Sequence, residues 1–91
     1  MNIRIQRSAR AGGILIPRGD YVVSADELEG QVVLINTETV LRVGALRRAA
    51  KARVTAPTVQ LRQVVGEERD LLIVRTPPAT EWVVSLDRAG D

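Results

Sequence analysis

The chain has 91 residues, 45% of them hydrophobic, a net charge of +2, and neither cysteine nor histidine. That excludes disulfides, thiolate nucleophiles and Cys/His metal sites, and removes the side chain most used as a general base and pH switch. The length suits one domain that buries roughly 60–65% of its unfolded surface. Phe is absent, so the core must be built from Val, Ile and Leu, a β-branched bias that favours strands.

Residues 2–7 alternate, with Ile3 and Ile5 on one face and Arg4 and Gln6 on the other, which predicts a half-buried strand. Residues 8–13, SARAGG, read as a loop. Residues 14–16, ILI, predict a short buried strand stopped by Pro17. Arg18-Gly19-Asp20 then turns the chain into a strand at 21–23, through a corner or a hairpin. Ser24-Ala25-Asp26-Glu27 has capping-box spacing, so one helical turn is expected, with Leu28 packed inward and Gly30 ending it. Residues 31–35 and 39–43 predict a hairpin about Asn36-Thr37-Glu38-Thr39. Residues 32–35 are apolar on both faces, which calls for cover on both sides, barrel closure or a self-association surface.

Residues 44–56 are rich in Ala and Arg and have helix propensity, but Leu46 alone would anchor a helix. Residues 44–48 are therefore expected to continue as strand or loop, with the rest extended. In residues 58–65, Val59 and Leu61 face one way and Gln60 and Arg62 the other. Residues 66–70 form a turn, and 71–74, apolar on both faces, predict a central strand. After Pro77-Pro78, Trp82, Val84 and Leu86 should face the core, with Val83 and Ser85 outside and 87–91 a polar tail. The expected fold is a single all-β domain, a small SH3-like barrel or compact β-sandwich of about seven or eight short antiparallel strands, with at most one short helical turn.

The charges fall in blocks. Residues 1–18 carry Arg4, Arg7, Arg10 and Arg18 and no acid; residues 19–41 carry Asp20, Asp26, Glu27, Glu29 and Glu38 and no base. Residues 42–66 carry Arg42, Arg47, Arg48, Lys51, Arg53 and Arg62, again without an acid. One reading pairs oppositely charged strands across a sheet; another makes the blocks into faces for partners.

No catalytic, cofactor-binding or metal-binding residue is assigned. The acids Asp26, Glu27, Glu29, Glu67, Glu68 and Asp70 fall in predicted turns, where carboxylates are usually solvated, and Lys51 has no neighbouring serine to activate. The tripeptide Arg18-Gly19-Asp20 matches a cell-adhesion motif but stands where a turn is needed. Trp82 alternates with core positions rather than marking an exposed anchor. No apolar run approaches the ~18 residues of a membrane span, and no charged start leads into an apolar leader, so a cytoplasmic location is expected.

The leading functional expectation is a non-enzymatic protein-interaction or assembly module. It would bind a protein partner or a second copy of itself, with no small-molecule substrate and no membrane contact. An exposed strand edge and Arg42, Arg47, Arg48, Lys51, Arg53 and Arg62 would carry the contact. The alternative is a nucleic-acid-binding small β-barrel that uses residues 42–62 as a phosphate track.

Overall fold

The computed structural model of the protein describes residues 1–89; Gly90 and Asp91, the end of the expected tail, lie outside the described residues. It is all-β, with ten strands: β1 (Asn2–Ile5), β2 (Ala9–Ala11), β3 (Ile14–Ile16), β4 (Gly19–Asp26), β5 (Gln31–Ile35), β6 (Val40–Gly44), β7 (Leu46–Ala49), β8 (Thr58–Gln63), β9 (Arg69–Thr76) and β10 (Thr80–Arg88). They form two antiparallel sheets. The smaller has the order β1-β4-β5-β6; the larger runs β3-β2-β10-β9-β8, with β7 also paired to β10. Neither sheet closes into a barrel, so the SH3-like closure that the sequence allowed is not what is found.

The strand count exceeds seven or eight because an expected loop pairs and because residues 46–49, expected as strand continuation or loop, form a separate strand. Within SARAGG, Ala9–Ala11 is a strand whose two alanines are buried, and Gly12-Gly13 is the hairpin turn into β3. Both glycines have positive φ, +55° and +85°, as a two-residue turn between right-twisted strands requires. The second addition is β7, where Leu46–Ala49 pairs with Thr80–Val83 of β10. The extended reading of 44–56 therefore stands in place of a helix.

The chain changes sheets between β1 and β2, between β3 and β4, and between β6 and β7. The step at Pro17 is thus a corner, and the Tyr21 hydroxyl donates to the Pro17 carbonyl across it. Ile16 is buried there, but Ile14 and Leu15 are 36% and 45% exposed, which corrects the expectation of a fully buried strand. Leu15 points to the outer face, and Ile14, on the same face as Ile16, lies at the hairpin end of an edge strand with no strand beyond it.

No helical turn follows Ser24. Ser24 and Asp26 belong to β4, and it is the Asp26 carboxylate that accepts from the N–H groups of Leu28 and Glu29, at 3.1 and 3.2 Å. This carboxylate makes a tight local turn without a helix. Leu28 is 97% exposed, against the expected inward packing, because the turn projects beyond both sheets' pairing. The hairpin at Asn36 is as expected: its side-chain carbonyl accepts from the N–H groups of Glu38 and Thr39, both at 2.9 Å.

The core lies between the sheets. Ile5, Tyr21, Val23, Val32, Leu34 and Val43 of the small sheet meet Ala9, Ala11, Ile16, Leu72, Val74, Trp82, Val84 and Leu86 of the large one. β9 is central, flanked by β8 and β10. β10 runs through Asp87 and Arg88, which pair with β2, so the polar tail begins later than position 87. Among the described residues no helix is long and apolar enough to cross a membrane.

Candidate functional site

Strand alternation and register build one charged site on the outer face of the large sheet. Trp82 faces the core, so Glu81 faces out; Val74 faces the core, so Arg75 faces out. The register sets Glu81 directly opposite Arg75 on one side and Arg48 on the other. Glu81 is the only buried charged side chain among the described residues, at 6% exposure. Its Oε1 accepts from Arg48 Nε at 2.9 Å and from Arg48 Nη2; its Oε2 accepts from Arg75 Nε at 3.1 Å. Arg75 Nη1 donates to Gln60 Oε1 on β8 at 3.0 Å. The Arg48 hydrogen bond, opposed by burial and aided by Arg75, holds the Glu81 carboxyl below the usual glutamate range, so it is ionised at neutral pH.

The segment 50–57 brings further cations to this place. β9 and β10 lie between β7 and β8, so the connection must pass around the β9–β10 turn. It is tied there by two backbone hydrogen bonds, Ala50 N–H to Ala79 O at 2.9 Å and Val54 N–H to Pro78 O at 2.8 Å. Lys51 and Arg53 are carried to the rim of a cleft of about 360 Å³. Arg48, Lys51, Arg53, Arg62 and Arg75 line it, against one carboxylate, Glu81. Lys51, Arg53 and Arg62 make no ion pair or side-chain hydrogen bond among the described residues.

Four of the expected residues therefore converge: Arg48, Lys51, Arg53 and Arg62. Two do not. Arg42 lies on the small sheet and pairs with Asp26 at 3.2 Å. Arg47 faces the other side of β7, with its guanidinium 5.1 Å from the centre of the Trp82 ring. The acid-free segment is thus split among three places. Arg75, Gln60 and Glu81 were missed. A signal for two of them existed, since Arg75 and Glu81 stand symmetrically about the Pro77-Pro78 turn, where a hairpin places them face to face.

Elsewhere several cations are paired with acids, while Arg7, Arg10 and Arg18 make no ion pair among the described residues. Arg4 meets Asp20 at 3.6 Å, Arg69 meets Glu67 at 2.7 Å, and Arg88 meets Asp70 at 3.3 Å and Glu68 at 3.9 Å. Both aromatic rings are buried; the Trp82 indole N–H donates to Thr76 Oγ1 at 3.2 Å. The protein thus presents no exposed ring on which a nucleobase could stack. Beside the cleft, β8 is the last strand of the large sheet and pairs only with β9. Its other edge is unpaired among the described residues. On the small sheet, Val22, Ile35 and Val40 form an exposed apolar row across three strands.

No protein-family model matches the sequence, and neither the curated proteins nor the solved structures yield a match. The site's own chemistry is therefore what speaks to function.

Proposed function

We propose that this domain is a non-enzymatic interaction module that binds an acidic, extended segment of a protein partner. The observation that carries the reading is the convergence of Arg48, Lys51, Arg53, Arg62 and Arg75 on one cleft beside the open edge of β8. An added strand would satisfy the unpaired backbone groups of β8, and alternate acidic side chains would reach the cations. Two of those cations are held in place by Glu81, so less side-chain entropy is lost on binding.

Nucleic acid is the competing partner, because the same cations would attract phosphate. Three features favour the acidic polypeptide. The surface lacks an aromatic platform, the cations gather in a cleft rather than along a track, and the far end of the same sheet carries Glu67, Glu68, Asp70 and Asp87.

Titration of the isotope-labelled domain with an acidic peptide, random duplex and random single-stranded DNA tests this. Expected are amide shifts along β8 and at Arg48 and Arg75 with the peptide, lost in R53E/R62E. No shift with acidic peptides would reject the reading. DNA binding with a log–log salt slope of roughly −3 to −5 would give the site to nucleic acid.

A further inference from the structure

We infer that the cleft is a receptor for one phosphomonoester carried by the partner segment, such as a phosphoserine. This deepens the reading of the cleft as the partner site and rests on it.

The argument is from charge density and preorganisation. Five cations around about 360 Å³ are far more than a single carboxylate can satisfy. A carboxylate brings one charge and two oxygens; a phosphomonoester brings roughly −1.5 to −2 and three strong acceptor oxygens in a compact tetrahedron. Two of the cations are fixed in advance. Glu81 takes Nε and Nη2 of Arg48 and Nε of Arg75, and Gln60 takes Arg75 Nη1. That leaves Arg48 Nη1 and Arg75 Nη2 as donors with no partner among the described residues. Lys51, Arg53 and Arg62 are likewise uncommitted and can close over a bound anion. A nucleic-acid backbone spreads its charges along a line, so a convergent set of this kind suits one group with a high charge.

The phosphate ester also supplies its own signature. Its second ionisation falls at a pKa of about 6. Of the groups lining the cleft, Arg48, Lys51, Arg53, Arg62 and Arg75 are basic and Glu81 is held ionised between two of them. The chain has no histidine. A change in affinity near pH 6 therefore belongs to the ligand.

The test uses one acidic peptide in three forms, with Ser, Glu or phosphoserine at its centre, and inorganic phosphate with chloride as the reference anion. The phosphoserine form should bind roughly tenfold or more tightly than the Glu form. That preference should shrink as pH falls below about 6. In K51A/R53A, which alters only exposed side chains, all three forms should bind more weakly, and the preference for the phosphoserine form over the Glu form should collapse to within about twofold. Equal binding of the Glu and phosphoserine forms would overturn the inference and leave the acidic-partner reading standing. Failure of all three would reject both. Shifts with inorganic phosphate but no preference among the peptides would mark a general anion site and also overturn it.

Discussion

Substituting Glu81→Gln removes one negative charge with almost no change of shape, and its cost can be worked from the geometry. Three guanidinium nitrogens donate to the Glu81 carboxylate, which is 6% exposed. Removing one partner from a fully buried ion pair costs about 3–5 kcal/mol. Here the side chains of Arg48 and Arg75 are 52% and 32% exposed, so water recovers part of that loss. The expected destabilisation at pH 7 is about 1–2 kcal/mol, nearer the value of charged hydrogen bonds. For a domain of this size that corresponds to a fall in Tm of roughly 5–15 °C. The pH dependence gives the sharper check. The folded-state pKa of Glu81 is lowered, so its contribution is complete above the unfolded value, 4.5, and disappears as pH falls through the folded value. Urea unfolding of wild type and E81Q should therefore diverge at pH 7 and converge in acid. Equal stability at pH 7 would refute the reasoning. A gap that persists unchanged into acid would show that shape, not charge, was lost.

Three further outcomes follow from other contacts. Tyr21→Phe deletes the hydroxyl that donates to Pro17 O and should cost about 1 kcal/mol in denaturant unfolding. In the wild type, burial and then the Glu38 charge raise the Tyr21 pKa above 10.0. Its contribution is thus complete below that value and lost as pH rises through the folded one, readable as delayed tyrosinate absorbance. Arg47→Ala removes the guanidinium over Trp82 and should cost about 0.5–1 kcal/mol while shifting the tryptophan emission to the red. Gly13→Ala forces a side chain into φ +85° and should cost about 1–2 kcal/mol, although a Cβ there would meet no neighbour within 4 Å. A cost near zero would mean the β2–β3 hairpin contributes little to stability.

What was legible in the sequence is what depends on local period. Alternation at Trp82, Val84 and Leu86, the two-faced apolar run at 71–74 and the turn chemistry at Asn36 each report on residues a few positions apart. These were enough for an all-β chain with β9 at its centre. The short strands β2 and β7 were harder, because Ala-Arg-Ala and Leu-Arg-Arg-Ala carry little β propensity and pair only because β10 offers them an edge. The helical turn at Ser24 failed for a related reason. Its capping spacing is real, but pairing of β4 with β5 reaches Asp26 and claims the backbone first.

The charge pattern divides in the same way. That residues 42–66 hold six bases and no acid is a property of the chain. Which of those bases share a surface is not, because strand alternation sends Arg47 to the face of the Trp82 ring and Arg48 to the opposite one, and a change of sheet after Gly44 strands Arg42 on the other layer. Only the tertiary pairing brings Arg75, Gln60 and Glu81 to Arg48, and only the path of 50–57 around the β9–β10 turn adds Lys51 and Arg53. The sequence by itself determined the strands and the supply of cations. The cleft was decided by long-range register, since electrostatics act across space and not along the chain.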